Sequence, residues 1–290
     1  MKEEIFWVWL SRIENLDKRK LDKLLERYKD VSNLWNVKNS YELLQLGLTQ
    51  NLSEKIVDNR YKKDLEKYIQ YMRKNDIEIL TFKDEDYPEN LKQIYDPPIS
   101  IYIKGNRKIL NEKSIAIIGC RQCSKYGEDI TKKFAYELGM ANINIVSGLA
   151  RGIDTYSHIG ALRAKGKTTA VIGSGLDIVY PPENSALYQK IIENGGVILS
   201  EYIVGTKPLA RNFPARNRII SGISDAVLVV EAKEKSGTLI TVDFALEQGK
   251  DVYAIPGNIS SESSYGTNEL IKEGARLVAN PRDLLKELLI

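Results

Sequence analysis

Hydrophobic positions in the first 75 residues recur at helical spacing: Leu21, Leu24, Leu25 and Tyr28, then Tyr41, Leu43 and Leu44, then a run from Ile56 to Met72. A period near 3.6 residues places such side chains on one face of a helix, and no part of this stretch alternates as a half-buried strand would. Asn39 and Ser40 offer an N-cap ahead of YELLQL, and Gly47 lies just past its end as a stop. The pattern predicts a small all-helical domain over residues 1–75. Its 16 basic and 12 acidic residues interleave as on an ordinary solvated surface.

From Ile77 the period changes. IEILT, DYPENLKQIYDPP and ISIYIKG predict a strand, a proline-marked loop with a helical turn, and a second strand. Six apolar runs follow: SIAIIG (114–119), INIVSG (143–148), TTAVIG (168–173), GVILSE (196–201), DAVLVVEA (225–232) and DVYAIPG (251–257). They alternate with helical segments of about a dozen residues. Strands that are apolar on both faces and separated by helices belong to a parallel sheet covered on both sides. The predicted fold class is therefore α/β, a Rossmann-like, doubly wound, mostly parallel sheet over residues 76–290. RLVAN and PRDLLKELLI add a short strand and a closing helix to it.

Charge is unevenly placed along the chain. The chain carries 42 basic and 39 acidic residues, a net charge of +3, yet Tyr202 to Ser224 holds Lys207, Arg211, Arg216 and Arg218 with no Asp or Glu. That stretch alone is +4, so all other residues sum to −1. Positive potential focused in one place is the footprint of a polyanion site; the alternative is a solvated basic loop. Phe213 lies among these cations, with Pro214 restraining the backbone after it. An aromatic ring in that setting can stack a nucleobase while guanidinium groups hold phosphates.

In a doubly wound sheet, ligands bind beyond the carboxyl ends of the strands, where loop amides and helix N-termini converge. Four predicted strand ends are suited to this. Gly119 opens a turn with Arg121 and Lys125 on its rim and Ser124 placed to cap the next helix. Ser147, Gly148, Arg151 and Gly152 form a second turn, and the basic stretch after Glu201 a third. Ser236, Gly237 and Thr238 open the fourth, with hydroxyls and exposed amides. One glycine turn can be merely steric. Four on one edge, three of them bearing cations, predict an anion-binding rim.

Enzymatic alternatives find little support. The segment at Gly119 has Arg121 and Ser124 where a dinucleotide fingerprint needs glycines, and no phosphate-loop GxxxxGK[ST] occurs. His158, the single histidine, falls mid-helix and reads as a packing residue more than a base, so no nucleophile–histidine arrangement is available without it. Asp154, Asp177, Glu201 and Glu231 lie near strand ends, where each can orient an arginine or cap a helix. Cys120 and Cys123 form a C-x-x-C that reads either as a redox pair or as two free thiols slightly acidified by a helix N-terminus. Zinc would need further soft ligands. The expectation is binding without turnover, with no cofactor and no metal. The apolar run Ile5–Leu10 is short for a signal peptide and no run approaches a membrane span, so a cytoplasmic protein without membrane insertion is expected.

The succession GCRQCSKYG, SGLARGIDTYSHIGAL, GSGLDIVYPPEN, SEY, FPARNRIISGIS, VVEAKEKSGTLITVDFALEQGKDVYAIPG and GTNELIKEGA resembles the DNA-processing protein A family, DprA or Smf, from about Tyr87 to Ala275. The helical segment before it is similar to the sterile-alpha-motif-like or helix-hairpin-helix-like domain of that family. The resemblance implies a bacterial protein that binds single-stranded DNA without strong sequence preference. It would protect incoming strands during natural transformation, load the RecA recombinase and act as a homodimer. By motif position the DNA-binding residues would include Gly119, Arg121, Ser147, Gly148, Arg151, Gly152, Phe213, Arg216, Asn217 and Arg218, with Lys207 a looser assignment. Ser124 and the Ser236–Gly237–Thr238 turn join them from the rim. Ala210 fills a position often basic in the family, and Cys120 stands where Ser is usual, leaving the backbone role intact. The winged-helix-like domain of many relatives has no counterpart in this sequence, so its duplex contacts are not expected. The competing reading is a nucleoside-monophosphate phosphoribohydrolase of the lysine-decarboxylase-like (LOG) type, which shares a Gly-Thr loop. Its catalytic Glu, three residues after the Thr, is replaced here by Thr241.

Overall fold

Asp17, Asp30, Asn39 and Thr49 each accept a backbone N–H from the turn that follows, which fixes where four of the first helices begin. In this computed structural model, which describes residues 3–288, the amino-terminal helices are α1 (Glu4–Ser11), α2 (Lys18–Tyr28), α3 (Val31–Trp35), α4 (Ser40–Leu44), α5 (Gln50–Val57) and α6 (Leu65–Lys74). Gly47 sits past α4 at φ +81°, a conformation that favours glycine. Trp9 and Leu10 of α1 are fully buried, and their apolar cluster continues through Tyr102 to Ile172 and Ile198 of the sheet. A hydrogen bond between the Ser11 hydroxyl and the Tyr102 phenol crosses the same contact.

The sheet begins with β1 (Glu78–Thr81), a turn of helix α7 (Glu89–Lys92) and β2 (Ser100–Gly105). Then strands and helices alternate: β3 (Ser114–Ile118), α8 (Lys125–Met140), β4 (Asn144–Ser147), α9 (Ile153–Arg163), β5 (Thr168–Ile172), α10 (Ser185–Glu193) and β6 (Val197–Ser200). After them come α11 (Asn212–Ile223), β7 (Ala226–Val229), α12 (Gly237–Glu247), β8 (Asp251–Ala254), α13 (Tyr265–Lys272), β9 (Arg276–Leu277) and α14 (Pro281–Leu288). The last two residues of the predicted closing helix, 289 and 290, lie outside the described residues.

Among the described residues nine strands form one sheet, in the order β1-β2-β6-β5-β4-β3-β7-β8-β9. All pairings are parallel except β1 with β2 and β2 with β6. Residues of β3, β4 and β5 are buried throughout, as their unbroken apolar runs require. The Rossmann-like, mostly parallel architecture is the one the sequence pattern predicts. The chain winds outward from β3 through β4 and β5 to β6, then returns to place β7 on the other side of β3. That reversal opens a crevice at the carboxyl ends of the strands. No described helix is long and apolar enough to cross a membrane.

Candidate nucleic-acid interface

At the carboxyl edge of the sheet lies a cleft of about 810 Å³. The turns after β3, β4, β5 and β7, together with the first half of α11, supply its walls. Among the described residues, five basic side chains line it, Arg121, Arg151, Arg216, Lys233 and Lys235, against one carboxylate, Asp154. Cationic groups focused in a concave site raise the local concentration of anions.

Arg216 is the buried member of this group, only 4% exposed. One guanidinium nitrogen, Nη1, donates to the carbonyls of Gly148, at 2.7 Å, and Val171. Nε has no partner among the described residues. The hydrogen bonds thus fix the group's direction without a carboxylate neutralising it at contact distance. Burial pushes the guanidinium pKa down to about 10; the Asp154 charge opposes this, and Arg121 adds to it. Asp154 is itself buried and accepts from the backbone amides of Gly148 and Ala150 at 3.2 and 3.4 Å. Desolvation raises its pKa, against the pull of Arg216 and those hydrogen bonds.

Phe213, in the first turn of α11, is the hub around which the cations gather. The guanidinium carbons of Arg121 and Arg216 lie 5.6 and 6.0 Å from its ring centroid, within cation–π range. Tyr180, from the turn after β5, sits beside it with ring centroids 5.5 Å apart and planes tilted by 45°. Asn212 fixes the start of α11 by donating from Nδ2 to the carbonyl of Gly173 at 3.0 Å. Arg151 is paired with Glu183, but both side chains are about half exposed. A solvated pair of this kind contributes little to stability and can be exchanged for a phosphate.

Other residues predicted for the site divide between lining and scaffold. Gly119, Asn217, Ser236, Gly237 and Thr238 line the cleft with Arg121, Arg151, Phe213 and Arg216. Ser124 instead caps α8, accepting from the Gly127 amide at 3.0 Å, while its own hydroxyl and amide bond to the buried Glu231. Ser147 is fully buried and donates to the Ile117 carbonyl at 2.7 Å. Gly152 has φ +73°, and a Cβ there would sit 2.2 Å from the Cys120 carbonyl oxygen. It lets the second turn close on the first.

Two expected cations are placed elsewhere. Lys207 is exposed on the loop before α11, outside the cleft lining. Arg218 is turned the other way, bidentate to Glu201 at 2.9 and 2.6 Å and bonded through Nε to Asp96. It anchors α11 to the end of β6. The third turn therefore sends one guanidinium of its four cations, Arg216, into the cleft.

Tyr180, Lys233 and Lys235 are lining residues that sequence reasoning passed over. The two lysines alternate with Glu234 and follow Glu231, so the segment's charges nearly cancel on paper; in the fold Glu231 is buried beneath Ser124. The expectation of acidified thiols is corrected. Burial raises both, Cys123 to about 11, and outweighs the nearby helix terminus. His158 is a fully buried packing residue. Its Nδ1 faces Thr168 Oγ1 at 2.7 Å, and that hydroxyl donates to the Ile145 carbonyl, which makes Nδ1 the protonated nitrogen. Burial lowers its pKa to about 3. Thr241 lines the cleft at the position where the phosphoribohydrolase reading requires a carboxylate.

Residues 78–289 match the family described as DNA recombination-mediator protein A. The chain is 49% identical over 205 residues to the DNA processing protein DprA of Streptococcus pneumoniae, spanning 70% of this chain and 72% of that protein. It is 36% identical over 290 residues to the protein Smf of Synechocystis, spanning 99% of this chain and 73% of that one. The X-ray structure of DNA processing protein A from Streptococcus pneumoniae superposes with a TM-score of 0.81 at 38% identity, over 99% of this chain and 98% of the other. A structure of DNA processing protein A from Helicobacter pylori, described for its single-stranded DNA binding mode, gives 0.66 at 33% identity, over 73% and 96%.

Proposed function

The chain belongs to the DNA recombination-mediator protein A family, and from that premise we propose that it is a non-enzymatic, single-stranded DNA-binding mediator. It protects incoming strands in natural transformation, loads RecA on them and works as a cytoplasmic homodimer. The observation that carries the binding step is the cleft itself, with five cations facing one carboxylate around a half-buried aromatic. Phosphates bind Arg121, Arg151, Arg216 and the Lys233–Lys235 turn, and unpaired bases turn toward the rings. The Helicobacter pylori relative, described by its single-stranded DNA binding mode, supports the same reading. A buried guanidinium hydrogen-bonded only to carbonyls supports it further, because a phosphate would supply the contact counter-charge that Arg216 lacks.

A gel-shift series with single-stranded and duplex oligonucleotides, across salt concentrations and with RecA present or absent, tests this. Preferential, salt-sensitive binding of the single strand and faster RecA filament formation are expected. Equal binding of the duplex, or no effect on RecA, would remove the corresponding part of the proposal.

A further inference from the structure

Phe213 is partly buried, and its ring has neighbours on several sides. A Cβ on Gly173 would lie 3.3 Å from its Cδ1, Arg121 and Arg216 stand 5.6 and 6.0 Å from its centroid, and Tyr180 closes another side at 5.5 Å. Tyr180 is the opposite case: it lines the same cleft, and 37% of it is exposed. A base cannot slip between the two rings, since a sandwich needs about 6.8 Å, twice the stacking distance of about 3.4 Å. Arg151 lines the same part of the cleft as Tyr180, and its side-chain partner is Glu183.

We propose that Tyr180 presents the face on which an unpaired nucleobase stacks, that Phe213 sets the tilt of that face, and that Arg151 takes the adjoining phosphate. The inference rests on the single-strand-binding reading and refines it. The two aromatics divide the work, one as support and one as platform. A base held in a duplex is already stacked on both sides and cannot offer its plane to Tyr180, so this residue selects for the single strand. Purines and pyrimidines both carry a π-face, so the platform imposes no sequence.

Fluorescence anisotropy on the full chain with labelled oligo-dT, intact or carrying one abasic position moved stepwise along the strand, tests the assignment. Tyr180→Phe should bind within about twofold of wild type. Tyr180→Ala should bind between about fivefold and about 150-fold more weakly, the range for one lost stacking contact, with its salt dependence unchanged. In wild type one abasic position should weaken binding by a similar factor, and in Tyr180→Ala that position should cost nothing more. Identical abasic profiles in the two proteins would overturn the inference, as would Tyr180→Phe binding as poorly as Tyr180→Ala. Wild-type protein failing to bind intact oligo-dT would instead contradict the single-strand reading itself, and this inference with it.

Discussion

Gly148 and Arg216 are fitted to each other across 68 residues of sequence. The Gly148 carbonyl accepts from Nη1 of Arg216 at 2.7 Å, and a Cβ on residue 148 would lie 2.8 Å from Nη2 and 2.6 Å from Oδ2 of Asp154. The glycine is a seat for the guanidinium and not a hinge. Gly148→Ala should therefore push Arg216 off its carbonyls. Overpacking of this kind costs about 1–3 kcal/mol of stability, measurable by urea unfolding. It should also weaken single-strand binding at temperatures where the variant stays folded. A variant that binds as wild type would show that the seat does not matter.

Arg218 makes a contrasting case. The Arg218 guanidinium is largely buried, while Glu201 is about a quarter and Asp96 about half exposed, so removing Arg218 should cost less than the ~3–5 kcal/mol of a fully buried pair, about 2 kcal/mol. Arg218→Ala should lower the unfolding midpoint accordingly, and Arg218→Lys should recover only part of the loss, because an ammonium cannot match the fork. The dependence of DNA affinity on salt should stay as in wild type in both variants. A flatter slope would place Arg218 on a phosphate.

The buried imidazole predicts a pH effect. His158 titrates near 6.5 when exposed and near 3 in the fold, because burial penalises its charged form. Between these values the unfolded chain takes up a proton that the folded chain refuses. Stability is then complete above about pH 6.5 and falls as the pH drops toward 3, by at most about 1.4 kcal/mol per unit from this group. Unfolding curves at pH 7.5, 6 and 5 should show that loss in wild type and a shallower one in His158→Gln. Equal slopes would mean that the imidazole is not what senses the acid.

The two cysteines should behave as inert thiols. With Cys123 near pKa 11 and Cys120 raised as well, alkylation by iodoacetamide at pH 7.5 should be far slower in the native protein than in urea, since the thiolate is the nucleophile. Cys120→Ser should bind DNA as wild type does. Rapid native labelling, or loss of binding in Cys120→Ser, would restore a role for the pair.

The strands and the rim were legible in the sequence because each depends on local pattern. Ile115, Ile117 and Ile145 sit in runs too apolar to face water, and Gly119, Gly148 and Gly152 mark turns where the chain must pass close to itself. Partnership is what a linear reading could not see. Arg218 has the same charge as Arg216, and only the fold brings Asp96, 122 residues away, to turn it from the cleft. Lys233 and Lys235 were hidden by Glu231 and Glu234, of which the fold buries Glu231 beneath Ser124. Tyr180 is one of 16 tyrosines, and nothing in its local sequence sets it against Phe213.

The most direct measurement is the slope of log affinity against log salt for oligo-dT, in wild type and in Arg121→Ala. Each phosphate neutralised on a single strand contributes about −0.7 to the slope, so five lining cations predict a wild-type slope near −3.5. Arg121→Ala should be shallower by a little under one unit and weaker at low salt, with an unchanged unfolding midpoint. Identical slopes and affinities in the two proteins would contradict the claim that this cleft holds the strand.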